Sequence, residues 1–235
     1  MTRHVQLNNI DHRDLRIDTA RGTALGDGVS FAPVVPAEFR SVQACYPIVF
    51  RKAADGGFQP VALFGFEEGM NLFLDDDQWD APYLPLAIER QPFLIGRGGD
   101  ALTVHIDLDH PRVRTDVGEA LFREHGGTTD FLERMTSLLL SLHEGLERVP
   151  ALVDVLLRHE LLESFVLDVR LDDGSECRFA GFYTIAEERL RALDGTALVD
   201  LHRGGHLEAA YMAMASLSRF RDLVDRLSRR RAAGR

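Results

Sequence analysis

Apolar positions along the chain follow two periods. Leu102, Val104, Ile106 and Leu108 alternate with Thr103, His105 and Asp107. That period of two predicts a strand with one apolar and one polar face. Short apolar runs at 46–50 and 61–66, separated by Asp55-Gly56-Gly57, predict a buried hairpin. Residues 71–74 and 93–95 read as further strands. Segments 165–171 and 176–183 flank Asp172-Asp173-Gly174, a second hairpin signal. Helical spacing enters after about residue 116. Residues 118–125 suit a short helix, and Thr128-Thr129-Asp130 can cap a longer one over 131–149. Pro150 is compatible with the first turn of another, through about 163. Residues 186–193 suit a short helix. Leu207, Tyr211, Met214, Leu217, Phe220, Val224 and Leu227 recur at helical spacing and predict one amphipathic helix over 205–231.

Residues 1–44 read as extended and polar, because Pro33 and Pro36 oppose helix. Pro82, Pro85 and Pro92 keep their segment extended. Strands, then helices, then a hairpin, then helices predict an α+β fold with a mostly antiparallel sheet and C-terminal helices. A length of 235 residues suits a single compact domain, 1–235, with any subdivision near 116–127. A faint echo links Asp55-Gly56 before Phe64-Gly65-Phe66 with Asp173-Gly174 before Ala180-Gly181-Phe182; shared hairpin grammar explains it as well as duplication does.

A net charge of −10 opposes general nucleic-acid binding, since phosphates are repelled. Only Cys45 and Cys177 are present, without a CxxC pair, which predicts reduced packing thiols. The polar N-terminus and the absence of any span-length apolar run predict a soluble, cytoplasmic protein without a membrane span.

The most ligand-like constellation is His105, Asp107 and Asp109, on one face of the predicted strand. These residue types suit iron, manganese or zinc. The simpler reading is a solvated strand face entering a turn. Asp75-Asp76-Asp77 offers oxygen ligands but lacks the spacing of a calcium loop, and a solvated turn is favoured. His202 and His206 flank Arg203-Gly204-Gly205, where they could hold an anion or metal near the last helix's N-terminus, although an exposed loop is favoured. The sequence has no GxSxG, GxxxxGK[ST] or HExxH motif, and no GxGxxG following a strand.

The aromatic block over 46–93 carries Phe64, Phe66, Phe73, Trp79, Tyr83 and Phe93 among Asn71 and Arg90. Core packing suits the phenylalanines. Asn71, Trp79, Tyr83 and Arg90 are the candidate ligand-binding surface for a peptide or small aromatic molecule. The apolar stripe of 205–231 can pack within the chain or, less simply, against a second copy in a homo-oligomer.

Tyr46-Pro47-Ile48-Val49-Phe50, the segment 62–73, Trp79, the segment 83–93, Gly118 with Leu121-Phe122, Gly181-Phe182, and the segments 187–193 and 207–217 together resemble the SapC family of bacterial proteins. The family name implies a surface-layer link. The genomic company of its members, halogenase-like proteins, cupin-like oxygenases and outer-membrane receptors, implies an accessory role in handling a small molecule or peptide. The resemblance transfers no catalytic residue. The leading expectation is therefore a non-catalytic accessory protein recognising a peptide, small aromatic molecule or partner enzyme, with no cofactor. The alternatives are a metal-dependent oxygenase or hydrolase centred on His105, Asp107 and Asp109, and a surface-layer component.

Overall fold

Ile48, Val49 and Phe50 are all buried, and their strand, Ile48–Lys52, lies in the middle of a five-stranded sheet. A strand covered on both faces reads as an unbroken apolar run, which is why residues 46–50 lack alternation. The computed structural model describes residues 3–53, 56–75, 78–98, 101–170, 174 and 176–234. Asp55, Asp76, Asp77, Asp172 and Asp173, named above as turn or cation candidates, lie outside them, as does the side chain of Cys177. Every strand pair described is antiparallel, in an α+β fold. Among the described residues, no helix is long and apolar enough to cross a membrane. The chain forms two compact units, each discontinuous in sequence. Segment 116–127 lies wholly within one of them.

One unit comprises Val29–Phe73, Ala81–Pro85 and the chain from Gly145 onward. Its sheet order is Leu162–Arg170, Glu176–Ile185, Ile48–Lys52, Phe58–Leu63, Phe31–Pro33. Both predicted hairpins form, with Ile48 opposite Ala62 and Leu162 opposite Ile185. Tyr46, Phe64 and Phe73 meet edge to face, all buried, so these rings are core. Cys45 is a free thiol.

The C-terminal region departs from the single predicted helix. It forms Gly195–Arg203, His206–Ser216 and Arg219–Ala232. The buried face of the middle helix is Ala209, Ala210, Ala213 and Ser216, whereas Tyr211 is 50% exposed. The predicted stripe follows the large apolar side chains. Close approach of a helix to the sheet selects small ones instead, and the break at Leu217-Ser218 resets the phase. Ser216 shows why the approach is tight: its hydroxyl accepts the Ile48 N–H at 2.8 Å and donates to the Ala213 carbonyl at 2.5 Å. Ser216→Ala leaves that buried N–H without its acceptor. It is expected to cost about 1–3 kcal/mol, read from the urea midpoint.

The other unit comprises the chain up to Gly28, Leu74–Asp80 and Leu86–Glu144. Ala101–Asp107 is the middle strand between His4–Gln6 and Phe93–Gly98. Ile106 and Phe93 point into a core with Phe131, Leu132, Met135 and Leu139. A small second sheet places Arg16–Ile17 between Val113–Arg114 and Glu119–Ala120. The helix predicted at 118–125 is therefore absent: Glu119 pairs with Ile17, and Phe122 bridges Thr128. Gly118, with φ of 98°, starts this segment outside helical geometry.

Four further expectations are corrected. The two helices predicted over 131–163 are one, Asp130–Arg158, with Pro150 inside. Thr129 caps it as predicted, its hydroxyl accepting the Leu132 N–H at 3.3 Å. Pro150 denies a donor to the Leu146 carbonyl, but both residues are exposed, so water can replace the bond while Val149, Leu152 and Val153 stay buried. Segment 1–44 is not uniformly extended, because Pro36 opens the 3-10 turn Pro36–Glu38, which leads into the helix Phe39–Val42. Proline suits a first helical position, where its missing donor has no partner to lose. Likewise Leu86–Glu89 forms one helical turn between the prolines, and the strand expected at 71–74 is Leu74–Asp75, paired with Gln78–Trp79.

Candidate functional site

Gly204 and Gly205 separate two helices, and the turn between them needs Gly205. Gly205 has φ of 72°, and a Cβ on Gly204 would come within 2.3 Å of the His206 ring. The chain thereby turns so that His206 opens the next helix with its ring folded over Gly204. No side chain caps that helix start. Its first N–H groups and the positive end of its dipole are available to an anion.

The short helix Phe39–Val42 packs against this helix, where Ala209 keeps the surface low. Between them lies a groove of about 610 Å³, whose lining also includes Arg148 and Ala151 of the long helix. Phe39, Ala151, Ala209 and Met212 supply apolar surface; Arg40, Arg148, His206 and Glu208 supply charge or polarity. Arg40 donates to Glu208 at 2.7 Å, and Arg148 is exposed. Burial pushes the His206 imidazole below its ordinary pKa, and Asp200 pulls weakly the other way. The ring is thus neutral at pH 7 and gains charge as pH falls. The groove sets apolar surface beside groups that can attract an anion, in the size range of small-molecule pockets.

The aromatic block contributes indirectly. Tyr83 donates from its hydroxyl to Glu38 Oε2 at 2.8 Å, and Glu38 Oε1 accepts the Val35 N–H at 3.0 Å. Glu38 is nearly buried and ends the turn that supplies Pro36 and Ala37 to the groove. Tyr46 in turn donates to the Tyr83 carbonyl at 2.5 Å.

The four predicted ligand-binding residues divide between the two units. Asn71 and Tyr83 belong to one, Trp79 and Arg90 to the other. Asn71 is buried; its side chain accepts the Phe73 N–H at 2.9 Å, and its carbonyl accepts from Arg230 at 2.9 Å. Arg90 donates to the Phe93 carbonyl at 2.6 Å, and burial lowers its pKa. Trp79 is half-buried at the end of its two-residue strand.

His105 and Asp107 share a strand, but Asp109 follows its end. The His105 ring lies against Gly96, with Nε2 3.1 Å from the Thr103 hydroxyl. Asp107 accepts the N–H groups of Arg3 and Asp109 at 3.1 and 3.2 Å, while Asp109 is exposed beside Arg3. Among the described residues, no three His, Cys, Asp or Glu side chains are grouped to hold a metal ion. His202 lies in the helix Gly195–Arg203 rather than in a loop. The groove is foreshadowed only by Gly204-Gly205-His206. Arg40 and Arg148 carry no local signal that they meet there.

A model of the family described as SapC matches residues 7–223 of the chain. No curated protein and no solved structure matches it.

Proposed function

The chain belongs to the SapC family, and from that premise we propose that it is a soluble, cytoplasmic accessory protein that binds a ligand without transforming it. The ligand is a peptide or small aromatic molecule bearing a carboxylate, handled in a modification or uptake pathway. The observation that supports this most is the groove of about 610 Å³ at the start of the His206 helix. Its apolar lining suits a ring or side chain. Arg148, His206 and the uncapped helix amides suit the carboxylate. Tyr83 acts as a positioning residue, through Glu38.

The test uses N-acetyltyrosine as probe, with its amide as the uncharged counterpart, measured by calorimetry on the full chain. The carboxylate is expected to bind saturably and the amide at least about tenfold more weakly, the ratio expected from a charge-assisted bond. Arg148→Glu is expected to weaken carboxylate binding by a similar factor. Gly204→Ala, which displaces the His206 ring, should weaken it less. Affinity should rise on acidification, because His206 becomes cationic, and fall as pH rises. Equal binding of acid and amide, or wild-type affinity in Arg148→Glu, sinks the proposal.

A further inference from the structure

Arg112 is 1% exposed and heads the large side chains that are fully buried among the described residues. Most of its donors are used. Nη2 donates to Asp27 Oδ2 at 2.6 Å, and Nη1 donates to the carbonyls of Asp18 at 3.0 Å and Ala20 at 2.5 Å. Its Nε–H is buried with no acceptor among the described residues. An unsatisfied buried donor costs about 1–3 kcal/mol, more on a charged group, so its retention calls for a reason.

Arg112 lines a cavity of about 80 Å³ together with Arg21, Arg134, Glu89, Gln91 and Met135. All of these residues belong to the unit that contains the Ala101–Asp107 strand. The Gln91 side-chain oxygen is also buried without a donor among the described residues; turning the amide over would present its NH2 instead. Arg21 Nη1 stands 3.5 Å from Asp27 Oδ1. Arg134 lies over the Phe131 ring at 5.4 Å, which places its charge beside an apolar wall.

We propose that this cavity binds a small planar oxyanion, of the size of formate, nitrate or bicarbonate, with the Arg112 Nε–H and the guanidinium groups of Arg21 and Arg134 as its donors. Size favours a small ion. A water occupies about 30 Å³ of liquid, so the space suits an ion of about three or four heavy atoms better than a whole aromatic acid. Charge supports the sign. The negative groups nearby are Asp18, Asp27 and Glu89. Asp27 is committed to Arg112 and to the Gly22 N–H, and Asp18 to the Ala20 N–H. Glu89 faces Arg21 as its remaining counter-charge. Even so, the Arg21 guanidinium is held below its ordinary pKa, first by burial and then by the positive Arg112. An added oxyanion would offset the repulsion between Arg21 and Arg112 and give the unpartnered Nε–H its acceptor. Guanidinium donors lie in one plane, which matches planar oxyanions better than spherical ones.

The test follows the Arg112 Nε–H resonance in 1H–15N spectra of the full chain at constant ionic strength. Sodium formate and sodium nitrate are the probes, against chloride and phenylacetate. Formate and nitrate are expected to move the resonance saturably, chloride and phenylacetate far less. Arg134→Gln, at an exposed position, should retain the fold and bind formate about tenfold more weakly, as loss of one charge-assisted contact predicts. No shift with formate, an equal shift with chloride, or unchanged affinity in Arg134→Gln overturns the proposal. An equal response to phenylacetate overturns the free-ion assignment in favour of a carboxylate on a larger molecule.

Discussion

Arg112→Met is expected to destabilise the protein by about 3–5 kcal/mol, the usual cost of breaking a buried ion pair from one side. The change takes from Asp27, which is 0% exposed, the guanidinium 2.6 Å from its Oδ2, and leaves Arg21 at 3.5 Å and the Gly22 N–H as partners of the buried charge. It also frees the carbonyls of Asp18 and Ala20 from their donor. Trp79, the only tryptophan, belongs to the same unit, so its fluorescence in a urea titration reports on the right part of the chain. The double variant Arg112→Met with Asp27→Asn should recover part of the loss, because it removes the buried charge that has lost its nearest counter-charge. A loss under about 1 kcal/mol in Arg112→Met would mean that the pair contributes no more than a surface bridge.

Gly118→Ala is expected to cost about 2–5 kcal/mol, from two effects that add. The backbone sits at φ of 98°, and a Cβ there would lie 2.2 Å from the Ile17 carbonyl oxygen. The first costs about 1–2 kcal/mol for an L-residue. The second forces apart strands Arg16–Ile17 and Glu119–Ala120, adding an overpacking cost of about 1–3 kcal/mol. Gly126→Ala separates the two effects, since Gly126 has φ of 91° but nothing within 4 Å of the added carbon. Gly126→Ala should show only the conformational part in the same urea titration. Equal losses in both variants would remove the carbonyl clash from the explanation.

Much of the fold is legible locally. The hairpin joining Ile48–Lys52 to Phe58–Leu63 and the one joining Leu162–Arg170 to Glu176–Ile185 both follow from apolar runs around Asp/Gly turns. Thr129 announces the long helix, and Pro150 wrongly suggests that it ends. Proline's penalty depends on whether water can reach the orphaned carbonyl, which is a property of the folded surface. The C-terminal stripe fails for a related reason. Tyr211 looks like a core residue by hydropathy, yet Ala209, Ala210 and Ala213 make the contact. Distance between backbones decides that, and no single residue encodes it.

The candidate sites are less legible. Tyr83 reads as a ligand contact, and nothing local announces that its hydroxyl donates to Glu38. His206 stands out beside its two glycines, whereas Arg40 and Arg148 do not stand out at all. Arg112 and Asp27, 85 positions apart, have no local mark either.

By itself, the sequence determined the α+β class, the two hairpins, the cap of the long helix and the SapC membership, because period, turn chemistry and family pattern are written in neighbouring residues. The tertiary structure alone decided which polar groups meet: Ser216 with Ile48, Tyr83 with Glu38, Arg112 with Asp27. Those meetings depend on which faces come together and how closely, and burial then makes each pairing matter by withholding the water that would otherwise replace it.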